Sequence, residues 1–215
     1  MNPQGAVDSE EPGRNQTAER VLIATEALCA ELGLESVSIR DIAKHANVSL
    51  SVIYHHYGSK IDLLKAVIYR RMGELLSIQT DLLEELEAQE QPALEKVLYA
   101  VIAPLSLLRK RGSEGEVTGL FLARVLLSTL PEIKDEVDAG AGRLDRLVAI
   151  VKRSAPHLSH EEICWRLHFT IGIAHMTAWD YRRLEIMSQG TVNAREVEEA
   201  IERAVAYAKA AFEAP

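Results

Sequence analysis

Residues 38–60 constrain this chain more than any other segment. They read as two short helices joined by a tight turn, with another helix starting near Lys60. Ser38 stands at a helix cap, and Asp41, three residues on, makes a short variant of the capping box. Ile39, Ile42, Ala43 and Ala46 give the first of these helices an apolar face. Asn47 follows, and asparagine is the residue that best tolerates positive φ after glycine. Val48 plugs the turn. Ser49 caps a helix over residues 50–57 that buries Ile53 and Tyr57. Ser59 caps the next helix, whose face is Leu63, Leu64, Val67 and Ile68. Such a pair is a helix-turn-helix, a device for setting one helix in the DNA major groove.

Charge supports a local DNA contact rather than a coat of nucleic acid. The chain of 215 residues carries a net charge of −8. Within residues 36–71, six basic side chains (Arg40, Lys44, Lys60, Lys65, Arg70, Arg71) face two acidic ones, a net of +4. The remainder from residue 72 onward is acidic. A small basic module on an acidic body can touch phosphates while the body stays off the DNA.

The rest of the chain is helical in pattern. A first helix runs from Asn15 to Leu32, capped by Asn15 or Thr17 and stopped by Gly33. Further helices run from Pro92 to near Gly112, kinked by Pro104, and from Glu116 to Leu127. Others run from Pro131 to Arg153, from Ser159 to about Ser188, and from Thr191 to Phe212. No apolar run approaches the ~20 residues that span a bilayer. Residues 1–13 are polar and lack the apolar core of a signal peptide, which predicts a disordered arm on a cytoplasmic protein. Cys29 and Cys164 sit in apolar helical patterns and read as buried thiols. No nucleophile–base pair, metal motif or glycine-rich phosphate loop appears, so neither catalysis nor a cofactor is expected.

With Ser38, Ile42-Ala43, Ala46 to Ser49, Tyr54, Tyr57 and Lys60 in register, the chain resembles the TetR family of transcriptional regulators over about residues 14–65. Asn47 departs from the family's usual turn glycine, and Ser51 stands where glycine is common. The resemblance implies an all-α fold. A three-helix DNA-binding domain (14–60) would precede a helical effector-binding and dimerisation domain (61–215). It implies a homodimer on a palindromic operator, most simply a repressor released by a small hydrophobic effector. An activator and an effector-independent architectural protein stay open as alternatives.

The candidate DNA contacts are Ser38, Arg40, Lys44, Ser49, Leu50, Ser51, Val52, Tyr54, His55 and Lys60. Ser38 and Ser49 mark helix N-termini, which favour phosphate by dipole and by free N–H groups. Tyr54, His55 and Lys60 resemble the family's backbone contacts. Leu50, Ser51 and Val52 open the recognition helix. Between Leu50 and Tyr57 there is no Arg, Lys, Asn or Gln, so bidentate reading of guanine or adenine is denied to that helix. Readout is expected from thymine-methyl contacts, DNA shape and Arg40.

In the body, the segment Cys164–Trp179 is apolar nearly all round and is expected to be buried on more than one side. His168 and His175 share a face. They either anchor a pocket or are core histidines with hydrogen-bond partners. Tyr99, Phe121, Arg124 and Trp165 complete the candidate effector-lining set. Gly172, Ala174 and Ala178, with Ala200, Ala204, Ala208 and Ala211, would let paired helices approach closely in a dimer.

Overall fold

A computed structural model describes residues 11–139, 144–193 and 195–214. They form eleven helices: α1 (Glu11–Leu32), α2 (Ile39–Ala46), α3 (Leu50–Tyr57), α4 (Lys60–Glu87), α5 (Leu94–Arg109), α6 (Ser113–Leu126), α7 (Pro131–Ala139), α8 (Leu144–Ser154), α9 (His160–Trp179), α10 (Tyr181–Met187) and α11 (Val197–Glu213). No strand occurs among the described residues. The all-α expectation therefore holds.

Several boundaries move. α1 begins at Glu11 rather than Asn15, so part of the expected arm is helical and neither Asn15 nor Thr17 caps the helix; residues 1–10 lie outside the described residues. The helix expected over 131–153 is two, α7 and α8, and its weak glycines at 140 and 142 lie outside the described residues. The helix expected to run to Ser188 breaks at Asp180, whose φ of −101° and ψ of 38° leave the helical region. α11 starts at Val197, six residues later than expected.

Two apolar cores divide the molecule through α4 and α5. The first joins α1–α3, the early turns of α4, the end of α5, α6 and α7 around Val21, Ile42, Ile53, Leu64, Ile68, Leu108 and Phe121. The second joins the end of α4, most of α5, α8, α9 and α11 around Leu86, Leu98, Ile102, Ile150, Leu167 and Phe212. α5 is central, with Pro104 in its buried interior. Proline has no N–H for the carbonyl four residues back. Gln79 on α4 makes up the loss by donating its amide to the Ala100 carbonyl at 3.4 Å. Where α5 turns into α6, a Cβ on Gly115 would lie 1.9 Å from the Leu108 carbonyl oxygen, so only glycine fits that approach.

Candidate nucleic-acid interface

The turn between α2 and α3 is built as its residues dictate. Ser38 caps α2 with a full capping box: its Oγ accepts from the Asp41 N–H, and Asp41 accepts from the Ser38 N–H. The hydroxyl and N–H of Ser38 hold the Asp41 carboxyl below the usual carboxylate range. Asn47 adopts φ 53° and ψ 52°, and the next N–H, of Val48, reaches the Ala43 carbonyl at 3.0 Å. Ile53 is fully buried, and the half-buried Tyr57 donates its hydroxyl to the Ala18 carbonyl at 3.2 Å, fixing α3 against α1.

This anchoring leaves one outer surface. Arg40, Lys44, Ser49, Leu50, Ser51, Tyr54 and His55 are all exposed, and Val52 is half-buried. Arg40 and Lys44 lie one turn apart on α2 and make no ion pair among the described residues. The three helix starts of this region differ. At α2 and α4 a serine cap, Ser38 or Ser59, accepts from the N–H of a first-turn aspartate, Asp41 or Asp62, and donates its hydroxyl to that aspartate's carboxylate. α3 has no acidic residue in its first turn and no side-chain cap bond; Ser49 Oγ lies 2.8 Å from Ser51 Oγ instead. The α3 end thus keeps backbone donors available to a phosphate. At α2 the Ser38 hydroxyl already donates to Asp41 at 2.5 Å. A phosphate contact from Ser38 would compete with that carboxylate.

The local charge of +4 is not all available for DNA. Arg70 pairs with Glu19 at 2.7 Å, Lys65 with Glu136 at 3.0 Å, and Arg71 with Glu26 at 2.6 Å. Arg71 is almost wholly buried and also reaches Glu74 and Glu114, while Thr118 on α6 donates to Glu26 at 2.7 Å. Burial alone would lower the pKa of Arg71, but the Glu26 and Glu74 carboxylates raise it above the ordinary value. A second clasp ties the α1–α2 loop to the body. Glu35 accepts from the Ser128 hydroxyl at 2.9 Å and the Thr129 N–H at 3.0 Å. Lys60 donates to the Glu35 carbonyl at 3.3 Å. Half the basic residues are therefore held by carboxylates, and two of them, Arg70 and Arg71, tie the reading head, α1–α3, to α4. Sequence could not show this, because their partners lie up to 71 positions away on other helices.

The six candidate effector residues are not brought together. Phe121 is fully buried in the first core, and Arg124 is exposed on α6. Trp165 and His168 are exposed on α9, where Trp165 stacks on Phe169 at 5.7 Å. His175 is half-buried; burial lowers its pKa, opposed by a hydrogen bond with the Ile171 carbonyl. Tyr99 alone lines a large groove, beside residues that periodicity did not single out, Leu82, Leu86 and Val205. Two further apolar grooves of about 510 and 340 Å³ run along α9, α10 and α11, lined by Phe169, Gly172, Met176, Leu184 and Tyr207 among others. α9 is therefore open on one side within a single chain, not buried on several. Ala174, Ala178, Ala204 and Ala208 pack inside the chain, whereas Gly172 and Ala211 face outward.

Cys29 is a buried thiol pushed up to about 12 by burial. Cys164, expected to be buried, is exposed, with Sγ 3.6 Å from His160 Nε2. Among the described residues no group of three or more His, Cys, Asp or Glu could hold a metal, and no helix is long and apolar enough to cross a membrane.

Comparison with known proteins matches both ends of this architecture. A family model described as "Bacterial regulatory proteins, tetR family" matches residues 21–67. One described as "Tetracyclin repressor-like, C-terminal domain" matches residues 99–211. The HTH-type transcriptional repressor KstR of Rhodococcus jostii (strain RHA1) is 22% identical over 179 residues, 83% of this chain and 80% of its own. The HTH-type transcriptional repressor Rv3405c of Mycobacterium tuberculosis (strain ATCC 25618 / H37Rv) is 39% identical over 56 residues, 26% of this chain and 30% of its own. A solved TetR-like transcriptional regulator from Rhodococcus sp. RHA1 shares the fold with a TM-score of 0.62 at 15% identity, over 90% of this chain and 96% of its own. A SmeT–triclosan complex does so at 0.56 and 20% identity, over 89% and 90%.

Proposed function

The chain belongs to the TetR family of DNA-binding transcriptional regulators, and from that premise we propose that it is a cytoplasmic, ligand-responsive repressor that binds a palindromic operator as a homodimer. Its relatives are regulators of transcription, not enzymes. Residues 14–60 would make the DNA contacts, and residues 61–215 would carry effector binding and dimerisation. The observation that carries the DNA reading is the open α3 N-terminus, with Leu50, Ser51 and Tyr54 exposed beside Arg40 and Lys44. Each protomer would set α3 in a major groove, the two copies about 34 Å apart.

The homodimer reading rests on an apolar face that a single chain leaves uncovered. Trp165 is 54% exposed, Phe169 59% and Tyr207 70%; Phe169 and Tyr207 border the grooves along α9 and α11, and Trp165 stacks on Phe169. Contiguous exposed apolar surface of this kind marks an interface. A second copy related by a two-fold would cover it with the same residues. The effector reading is supported by the SmeT–triclosan neighbour, whose name records a complex with triclosan. Such a compound releases DNA only if it binds the non-DNA conformation more tightly.

Gel-shift titration on the DNA upstream of the chain's own gene, against random duplex, tests the reading. Preference for the upstream DNA is expected. Arg40→Ala should weaken binding by roughly tenfold and relax preference at one base position, as expected for one direct contact. An Arg40→Ala protein with unchanged sequence preference would remove Arg40 as a base reader. Equal affinity for random duplex would favour the architectural alternative.

A further inference from the structure

One more surface of the body is concave, and it lies away from the face of Tyr207. It is a groove between the last turns of α4, the start of α5 and the middle and end of α11, with a cavity of about 790 Å³. That volume falls within the range of small-molecule sites. α4 and α11 flank α5 without packing closely on one another, which leaves the gap. Its floor is apolar: Leu86 and Val205 are almost wholly buried, and Leu82 and Tyr99 are half-buried.

The rim is charged and unbalanced. Glu85 on α4, Glu95 on α5, and Glu202 and Glu213 on α11 face only Lys96 and Lys209. Lys209 is already engaged, 3.3 Å from Glu95 and 4.0 Å from Glu213. Glu85 and Glu202 stand on opposite walls, and neither makes an ion pair among the described residues. An apolar floor favours a hydrocarbon or aromatic body, Tyr99 offers a ring face to a cation, and two unpaired carboxylates favour positive charge over negative.

We propose that this groove binds an organic cation with an apolar, ring-bearing body, and that it is the effector site of the regulator described above, on which reading the inference rests. The occupant would touch the final turn of α4. The first turn of that helix, about 39 Å from Leu86 at 1.5 Å per residue, carries Lys60 and the Ser59 cap beside the reading head. A ligand that wedges α4 away from α11 therefore acts on the helix that holds α3 in place.

Two isosteric ions of opposite sign test the proposal: tetraphenylphosphonium and tetraphenylborate, titrated calorimetrically into the full-length protein. The cation is expected to bind at least tenfold more tightly than the anion. The double variant Glu85→Gln/Glu202→Gln should lose about tenfold in affinity for the cation with its thermal midpoint unchanged. Glu132→Gln, at an exposed position of α7, should leave binding as it was and so separates the groove from the chain's overall negative charge. Tyr99→Ala should weaken the cation further. Equal affinity for the two ions, or a double variant that binds the cation as tightly as the parent, would overturn the assignment. A gel shift on ligand-free protein keeps the two readings apart. Specific DNA binding without cation selectivity sinks the groove alone, whereas cation selectivity without DNA binding sinks the regulator and leaves the groove.

Discussion

The two cores of this molecule are closed in different ways. The first, under the reading head, is fastened by polar clasps that join distant parts of the chain: Arg71 and Thr118 both donate to Glu26 inside, and Ser128 and Thr129 both donate to Glu35 at the edge. The second is apolar and leaves grooves open on two sides, along α4–α5–α11 and along α9–α11. Both halves are all-helical, so the difference lies in what covers each helix. The clasped half holds the geometry of α3, and the open half has surface to offer a ligand and a second copy. The same contrast recurs in miniature between α2, whose N-terminus is closed by Asp41, and α3, whose N-terminus is open.

The strongest way to break the contrast is to open the first core from within. Arg71→Met leaves Glu26 buried without its partner, and stability should fall by about 3–5 kcal/mol, the usual cost of an uncompensated buried charge. Adding Glu26→Gln should recover most of that loss. Urea unfolding at fixed protein concentration measures both, and a single variant as stable as the parent would show that the clasp does not seal the core.

Closing the open half is next in size. Phe169→Glu places a charge on the face proposed for the second copy, and light scattering should then report a monomer. A charge at the centre of such an interface costs roughly 2–4 kcal/mol or more. A variant that stays dimeric would move the interface elsewhere.

The two helix starts give a smaller, paired effect. Ser38→Ala should cost about 1 kcal/mol of stability because it removes a working cap. Ser49→Ala should change stability by only a few tenths, since Ser49 makes no cap bond, yet it should weaken DNA binding. Equal stability losses would erase the distinction between the closed and the open end.

The edge clasp is the smallest test. Burial alone would raise the Glu35 pKa, but the N–H groups of Thr129 and of Glu35 itself, with the Ser128 and Thr129 hydroxyls, outweigh it and hold the carboxyl below its usual value. A carboxyl lowered in the folded state adds stability above the unfolded value of about 4.3 and loses it as pH falls through the folded one. Glu35→Gln should therefore flatten the stability profile between about pH 6 and pH 3. A profile as steep as the parent's would show that this clasp contributes nothing through its charge.

Local signals carried the reading head. The Ser38 cap, the Asn47 turn, the Ser59 cap and the α3 span of residues 50–57 all follow from neighbours within four positions, and the structure has each of them. Breaks without a strong local marker were missed, as at Asp180 between α9 and α10 and at the early start of α1. The candidate effector residues lie apart in the structure for a related reason. Apolar periodicity reports that a face is buried, not which neighbour buries it, so Phe121 and Trp165 looked alike although one is in the core and the other on the surface.

The sequence by itself determined the helical class, the turn that sets α3 and the lack of bidentate readers on it, because these depend on backbone preferences and side-chain chemistry inside one short window. Only the tertiary structure decided where the charge goes. Lys65, Arg70 and Arg71 count toward a basic patch in one dimension. In three dimensions Glu136, Glu19 and Glu26 claim them. A charge pair depends on distance through space, and packing α1, α4, α6 and α7 around one core brings together residues that the chain keeps far apart.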